Sequence, residues 1–369
     1  MRILIPILGF GRAGGNRVLS QLANSWIEIG HEVDFLVPST SEIPYFPTIA
    51  GKIWVDMFGA AVRSEYPPIS KHSESGWRNI LSLWSGLWKF GRDYDVVLAN
   101  HSLTAWPVAL SPLKLRRFYY IQAYEPEYYE LEGKMINRIL SKASYYFRMI
   151  KITNAPLYCN YKEIQTNYWC PPGLDTNIFL PLRKRKFLSD FSSFTIGCIG
   201  RKEPSKGTAY VLEAFEKLYK SDSRYRLVVA YGNLPAGYSH PGIEILEPKN
   251  DVELAEFYNS LDALVAAGTV QHGAAHYPVL EAMACGVPVV TTGYIPANSE
   301  NAWIVSNQDS IAIAEAIEEI ANGVSVTVKV ERALRDIAPY SWDAVASHML
   351  SIFIENLPPD INSKRRSSN

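Results

Sequence analysis

The sequence predicts an α/β protein of two domains, each built around a parallel β-sheet. The chain has 369 residues, which is more than one domain usually contains. Short apolar runs that lead into glycine, at residues 2–8 and 194–199, are typical of buried parallel strands. A segment with apolar residues at helical spacing follows each run, which is the pattern of repeated β-loop-α units.

In the first half, the strand at residues 2–8 is followed by a predicted helix at 16–29, which Gly30 ends as a C-cap. A second strand is predicted at 32–37. Further predicted elements are strands at 95–99 and 117–122 and a helix at 135–150. Residues 42–79 contain many prolines and aromatics with little periodicity, so no regular element is predicted there.

Proline, glycine and a basic run at residues 170–186 indicate a linker. We therefore expect a first domain at residues 1–180 and a second at 187–340. A last helix at about 342–357 is expected to pack back on the first domain. The second domain is predicted to contain strands at 194–199, 225–230, 243–246 and 263–266, and helices at 208–219, 252–260, 278–285 and 310–321.

Composition and charge exclude some functions. The net charge is −1, which argues against a general nucleic-acid partner. No apolar run approaches the roughly 20 residues that span a bilayer, and the first residues are too lightly charged for a signal peptide. We expect a cytoplasmic protein, or one attached to a membrane only from its surface.

A helix carrying Trp77, Trp84, Trp88 and Lys89 would lie in the core or at a membrane interface, and the core is the simpler interpretation.

The first glycine-rich loop matches G-x-G-x-x-G at Gly9, Gly11 and Gly14, after a strand and before a helix. A dinucleotide-binding motif also needs an acid at the end of the second strand, but the residues there are Val37, Pro38 and Ser39, and Asp34 comes too early. A nicotinamide-dependent oxidoreductase therefore stays an alternative. The other interpretations are a structural turn and a loop that contacts phosphate or sugar without a dinucleotide.

The second half carries a more specific signal. Arg201 and Lys206 flank a turn at the carboxyl end of a strand, where α/β folds bind ligands, and two fixed cations there suit a diphosphate. The alternative is two solvated surface cations. A helix opens near Pro278, includes Glu281 in its first turns and ends at Gly286. Glu281 would either interact with the helix dipole or accept hydrogen bonds from ribose hydroxyls.

Together these segments resemble the retaining glycosyltransferases of family 4. That family has the GT-B fold, in which two Rossmann-like α/β domains face a central cleft. The matching segments span nearly the whole chain: 14–17, 30–33, 95–97, 172–175, 200–207 and 278–290. The resemblance implies retaining transfer of a hexosyl group from a nucleoside-diphosphate sugar to a glycan or lipid-linked acceptor. It implies no cofactor and no metal, because the nucleotide-sugar is a substrate and fixed cations stabilise the departing diphosphate.

The resemblance also assigns roles on the donor side. Arg201 and Lys206 would hold the diphosphate and promote its departure, and Glu281 would hold the ribose. The remaining donor-binding groups would be Gly14 and Gly15, from the other side of the cleft, and backbone groups around Val279 and Leu280.

One position departs from the family pattern. Members carry two glutamates separated by seven residues; the second matches Glu281, but the first falls on Gly273. That first carboxylate normally faces the transferred sugar. Either His272 or His276 would be its substitute, or these loop histidines are incidental. A non-catalytic protein that binds nucleotide-sugars is therefore a further alternative.

On the acceptor side, the pattern of Gln122, Glu125 and Pro126 is similar to the rhamnosyltransferase branch of the family. Gln122 would hydrogen-bond a sugar, and Glu125 would orient the acceptor hydroxyl or act as its base. The alternative is an acidic, aromatic loop packed on a neighbouring element. Asn100 and His101 follow another strand and are further acceptor-side candidates.

Overall fold

The computed structural model describes residues 1–68, 76–113, 117–182 and 192–358 and divides the chain into two compact units. Unit 1 contains residues 1–173 and the chain from Trp342 onward, and unit 2 contains Leu174–Ser341. The boundary lies before the predicted residue 180. The Leu174 amide donates to the Tyr340 carbonyl (2.7 Å), and the Asn259 side chain donates to the Leu180 carbonyl (3.0 Å). These bonds fasten the segment after Gly173 to unit 2.

Unit 1 is built on a seven-stranded sheet. Its strands are β1 (Arg2–Pro6), β2 (Glu32–Pro38), β3 (Gly51–Val55), β4 (Ala61–Arg63), β5 (Val96–Ala99), β6 (Arg117–Ile121) and β7 (Ile150–Thr153). The spatial order is β4-β3-β2-β1-β5-β6-β7, and only the β3–β4 pair is antiparallel. The winding direction therefore reverses beside β1, which lies between β2 and β5.

Two of these strands lie where no element was predicted. β3 and β4 fall inside residues 42–79, which lack clear periodicity. In β3 the last four residues are all buried, since the strand lies inside the sheet between β2 and β4 and α2 packs against it. A strand of five residues buried on both faces shows no alternation, so it is hard to distinguish from a loop rich in apolar residues.

The unit 1 helices are α1 (Gly14–Glu28), α2 (Gly76–Phe90), α3 (Ser102–Leu110), α4 (Glu125–Leu131), α5 (Met135–Ser144) and α6 (Pro156–Cys159). The predicted helix at 135–150 is too long, because the chain turns after Ser144 and β7 begins at Ile150. The acidic, aromatic segment after Gln122 forms α4 rather than a loop.

Unit 2 contains a six-stranded sheet in which every neighbouring pair is parallel. Its order is β10-β9-β8-β11-β12-β13, so the winding direction reverses beside β8. The strands are β8 (Phe194–Ile199), β9 (Tyr225–Ala230), β10 (Ile243–Leu246), β11 (Ala263–Ala266), β12 (Val289–Thr291) and β13 (Trp303–Ile304). The helices are α7 (Thr208–Ser221), α8 (Asp251–Ser260), α9 (Tyr277–Ala284), α10 (Ser310–Ala321) and α11 (Val326–Asp336).

The last helix, α12 (Trp342–Asn356), packs against α1 within unit 1. The indole of Trp26 is fully buried and donates to the Ala346 carbonyl (3.0 Å). Phe353 packs between Trp26 and Phe118, with ring centroids 5.7 and 4.7 Å away. Among the described residues there is no helix that could span a lipid bilayer.

Trp26→Ala should lower the free energy of unfolding of unit 1 by about 3–5 kcal/mol, because it removes a large buried ring and leaves a cavity. Trp26→Phe should cost less, since it keeps most of the volume and loses the bond to Ala346. Denaturant titration followed by circular dichroism measures both. If Trp26→Ala lowered the free energy of unfolding by no more than Trp88→Ala, at a half-exposed position, this would contradict the packing of α12 on Trp26.

Candidate functional site

The first candidate site is a cavity of about 330 Å³ in unit 1. It lies at the carboxyl ends of β1 and β5, where the strand order reverses and open α/β sheets bind ligands. The structure brings five predicted residues together in its lining: Gly15, Asn100, His101, Gln122 and Glu125. The sixth, Gly14, begins α1 and is not part of the lining.

Glu125, the first residue of α4, is held by groups at the start of α3. Its carboxylate accepts hydrogen bonds from the Ser102 amide (2.8 Å) and the Ser102 hydroxyl (2.5 Å). His101 Nε2 lies 3.4 Å from the same carboxylate. The Glu125 side chain is only 14% exposed, so these contacts fix its orientation in the cavity wall.

His101 has a structural role that the sequence did not indicate. Its Nδ1 accepts a hydrogen bond from the Leu103 amide (3.1 Å), so the imidazole caps the first turn of α3. Because Nδ1 accepts, the ring proton is on Nε2 and points towards Glu125. His101 thus links the start of α3 to the carboxylate, and it reaches the cavity as a positioned donor.

The amides of Gln122 and Asn100 are also anchored. Gln122 Nε2 lies 3.5 Å from the Gly15 carbonyl, and a Cβ at Gly15 would come within 3.2 Å of that nitrogen. Glycine at position 15 therefore leaves room for Gln122. Asn100 donates to the Pro6 carbonyl (2.7 Å), which ties the end of β5 to the end of β1.

The second candidate site lies in unit 2, where the loops after β8 and β11 are held together. Gly207 has φ +76°, and a Cβ there would lie 1.8 Å from the Ala267 carbonyl oxygen. The Thr269 amide donates to the Ser205 carbonyl (2.8 Å). Only glycine permits this approach, which fixes the turn that carries Lys206.

Arg201 and Lys206 meet at a small cavity of about 20 Å³ in this place, which His276 and Pro278 also line. Thr208 holds the turn, since its hydroxyl accepts from the Arg201 amide (3.2 Å) and donates to the Arg201 carbonyl (3.1 Å). Arg201 and Lys206 are exposed at the mouth. Desolvation and the charge of Arg201 lower the pKa of Lys206, and no described residue in the lining is acidic.

His276 is the neutral member of this group. Burial, Lys206 and Arg201 together lower its pKa to about 3, so the imidazole is uncharged at neutral pH. Its ring packs on Tyr294, with centroids 4.6 Å apart. In the described part of the chain its buried Nδ1 has no hydrogen-bond partner. His272 is different, because its Nε2 lies 3.1 Å from the Gly268 carbonyl of its own loop.

Glu281 lies on α9 and is buried, with 3% of its surface exposed. Its carboxylate accepts from the Tyr258 hydroxyl (2.8 Å), and burial followed by the Glu281 charge raises the pKa of Tyr258. The amides of Val279 and Leu280 both donate to the His276 carbonyl, at 3.0 and 3.2 Å. These two amides therefore form the first turn of α9, and the contact of backbone groups around Val279 and Leu280 with phosphate stays a prediction.

Gly273 occupies the position of the missing carboxylate. Its φ is +89°, in the region that favours glycine, and its amide donates to the Gly293 carbonyl (2.7 Å). A glutamate here would strain the backbone. The loop conformation and the loss of that carboxylate therefore go together.

Two further expectations concern a dinucleotide and a metal. Asp34 accepts from Arg63 (2.9 Å) and from the Tyr94 hydroxyl (2.5 Å), so this buried carboxylate pairs with a partly exposed arginine and is not part of a ribose site. Among the described residues, no group of three or more histidine, cysteine or acidic side chains is arranged to hold a metal.

Comparison with known proteins agrees with this architecture. Residues 193–322 match the family model of the glycosyl transferases group 1. A probable sucrose-phosphate synthase of Thermosipho melanesiensis is 26% identical over 211 residues, which are 52% of this chain and 48% of that protein. The chain spans about half the length of the curated relatives it matches.

Solved structures resemble the chain over almost all of its length. A sucrose-phosphate synthase from Thermosynechococcus elongatus superposes with a TM-score of 0.69 and 16% identity, covering 96% of this chain and 98% of that one. The Anabaena protein HepE, solved with UDP and glucose, gives 0.66 and 13%, covering 96% and 100%. These likenesses show a GT-B-like fold of two α/β units, and they do not favour the nicotinamide hypothesis.

Gly207→Ala should destabilise unit 2 by more than Gly237→Ala. Both glycines have nearly the same φ, +76° and +75°, but a Cβ at Gly237 would meet no atom within 4 Å. The shared backbone strain costs about 1–2 kcal/mol, and the clash with Ala267 should add about 1–3 kcal/mol. If urea titrations showed equal losses of unfolding free energy in the two variants, the close approach of Gly207 to Ala267 would not be required.

His276→Phe should make the free energy of unfolding less dependent on pH below pH 6.5. The folded-state pKa of His276 is depressed below the ordinary 6.5, so its contribution is fully present above that pH and is lost as the pH falls. Between pH 6.5 and pH 5 the wild type should lose ~2 kcal/mol more than the variant, whose ring still packs on Tyr294. If the free energies of unfolding of wild type and variant changed equally with pH over this range, a buried neutral imidazole would be excluded.

Proposed function

We propose that this protein is a glycosyltransferase that uses a nucleoside-diphosphate sugar. The observation that carries the proposal is the convergence of Arg201 and Lys206 at the carboxyl ends of β8 and β11. The match of residues 193–322 to the group 1 glycosyl transferases supports it, because that segment contains both cations and Glu281. UDP and glucose in the structure of HepE support a uridine diphosphate donor as the first to test.

The electrostatics of the unit 2 site favour an anion. Desolvation, followed by the charge of Arg201, lowers the pKa of Lys206, so the two cations lie close enough to repel each other. A diphosphate would relieve this repulsion and would gain charge-assisted hydrogen bonds from both side chains. The cavity has room for about one water, so the diphosphate would lie at its mouth, where both cations are exposed.

We propose that the same two cations act in the chemical step. As the bond between the anomeric carbon and the diphosphate oxygen breaks, negative charge collects on the diphosphate, and preorganised cations stabilise it more than they stabilise the intact donor. The acceptor oxygen forms the new bond to the anomeric carbon and its hydroxyl proton is released. Retention of configuration, transfer of a hexosyl group and independence of metal are parts of this proposal.

Glu281 is proposed to hold the ribose together with Tyr258. The carboxylate is buried and already accepts one hydrogen bond, from the Tyr258 hydroxyl. A carboxylate can accept several hydrogen bonds, so a ribose hydroxyl could be added without breaking that contact. Gly15 is proposed to contact donor phosphate through the start of α1, where no side chain caps the helix.

The unit 1 cavity is proposed as the acceptor site. Glu125 is the fixed carboxylate in its wall, and Gln122 offers an amide that both donates and accepts. In this proposal Glu125 orients the acceptor hydroxyl or removes its proton, and Asn100 and His101 support that geometry. The proposed acceptor is a glycan or a lipid-linked acceptor. A lipid-linked acceptor would require contact with a membrane surface.

Gly273 favours one other candidate, a protein that binds nucleotide-sugars without transferring them. The carboxylate expected to face the transferred sugar is absent, and the loop conformation suits glycine. His276, which lines the cavity beside Arg201 and Lys206, would then be a candidate substitute for that carboxylate. The two candidates differ in one measurable property, since both bind a donor and only the enzyme consumes it.

Arg201→Ala and Lys206→Ala should each reduce turnover of the donor by about 100-fold, since one preorganised charge donor is worth roughly 3 kcal/mol in the transition state. The matched control is Lys202→Ala, an exposed cation on the same loop that does not line the cavity. Release of nucleoside diphosphate from UDP-glucose and other nucleotide-sugars is the assay. Near-normal rates in both variants would contradict the proposal.

Thermal shift with UDP, GDP, dTDP, ADP, CMP and NAD separates the candidates before an acceptor is known. A shift with one nucleoside diphosphate that is lost in Glu281→Gln supports the donor site. The same shift without donor consumption in the presence of acceptor mixtures would favour the non-catalytic candidate. A shift with NAD alone would contradict both.

A further inference from the structure

Helix α2 presents a second apolar face to solvent. Trp77, Leu81, Trp84 and Trp88 recur at helical spacing along one side and are 57, 36, 39 and 51% exposed. The opposite side, which includes Leu83 and Gly86, is buried against the sheet. The interpretation of these tryptophans as core residues is therefore wrong. A helix that is apolar on both sides is normally covered on both sides.

The exposed face continues into a groove between α2, α3 and α5. The groove has a volume of about 330 Å³, and every residue in its lining is apolar. Trp84 contributes from α2, Trp106 and Leu110 from α3, and Leu140 from α5. An open groove of this composition has no polar group to orient a small ligand, so it suits hydrocarbon.

Helix α5 extends the apolar surface on the far side of the groove. Met135, Ile136 and Ile139 lie in its first turns and are 63, 73 and 60% exposed. Leu140, from the same helix, lines the groove itself. Three neighbouring helices thus expose apolar residues around this groove, and clusters of exposed apolar residues mark interaction sites.

The charges on α2 identify the partner. This helix carries two basic residues, Arg78 and Lys89, and no acidic residue. They lie at its two ends, and each side chain packs over a neighbouring ring: Arg78 over Trp77 at 5.5 Å and Lys89 over Phe90 at 5.4 Å. Cations at both ends of a tryptophan-rich stripe complement the anionic headgroups and the apolar interior of a bilayer.

We propose that the outer face of α2, α3 and α5 binds the surface of a lipid bilayer that contains anionic lipids. Tryptophan has an apolar body and a polar N–H, and it prefers the boundary between headgroups and acyl chains. The stripe from Trp77 to Trp88 is ~16 Å long, so α2 would lie in the plane of that boundary. The inference rests on the proposed function, and it identifies the surface through which a transferase with a lipid-linked acceptor would contact the membrane.

Co-sedimentation with vesicles tests it on the full chain. Wild type should pellet with vesicles of phosphatidylcholine and phosphatidylglycerol, and more weakly with phosphatidylcholine alone. Trp84→Ser/Trp88→Ser should weaken binding to the mixed vesicles by about 10-fold or more, because two interfacial anchors are removed. The control is Val252→Ser/Val328→Ser, at two exposed apolar positions of unit 2, which should bind like wild type.

Two further measurements make the outcome specific. Arg78→Glu/Lys89→Glu should remove the preference for phosphatidylglycerol. Brominated phosphatidylcholine in the mixed vesicles should quench tryptophan fluorescence in wild type and much less in the double serine variant.

The inference is overturned if wild type stays in the supernatant with both kinds of vesicle. Equal binding of the double serine variant and wild type would overturn it as well. So would a concentration-dependent dimer that the serine substitutions abolish, since a second copy would then be the occupant. The nucleoside diphosphate thermal shift separates this from the proposed function: vesicle binding without any shift would keep the membrane face and reject the donor site.

Discussion

The reversal of winding direction beside β1 and beside β8 is the constraint on which both candidate sites depend. The chain continues in opposite directions along the sheet at these points, so the two loops that follow the central strands diverge and leave a gap at the carboxyl ends of the strands. In unit 1 the gap is bordered by Gly15 and Asn100, and in unit 2 by Arg201 and His276. Tight backbone contacts, such as that between Gly207 and Ala267, then fix the turn that places a charged side chain at the gap.

The sequence could predict which loops and which helix carry the candidate site residues, because buried parallel strands leave apolar runs whose ends are easily recognised. It could not predict what each of these side chains contacts. Glu281 lies on the predicted helix, but its burial against Tyr258 depends on a residue 23 positions earlier. His101 was placed beside the acceptor-side residues, and its capping of α3 depends on a helix that was not predicted.

The same limit explains the missed elements and the ambiguous glycine motif. β3 and β4 are short. The burial of β3 comes from the elements packed around it rather than from an internal pattern, and β4 is mostly exposed. Asp34 could be excluded as a ribose ligand on position alone, but its pairing with Arg63 and Tyr94 was invisible in the sequence. Those partners lie 29 and 60 residues away. Exposure of the α2 tryptophans reverses the usual expectation for such side chains, so only the structure could identify it.

The packing of α12 on α1 has a consequence for the order of biosynthesis. Unit 1 is assembled from two ends of the sequence, and all of unit 2 lies between them. A ribosome that makes this chain therefore completes unit 2 before residues 342–356 exist. Until they emerge, Trp26 lacks both its hydrogen-bond acceptor and the ring of Phe353. The nascent chain must carry an unfinished first unit, with apolar surface open to chaperones, through the whole synthesis of the second.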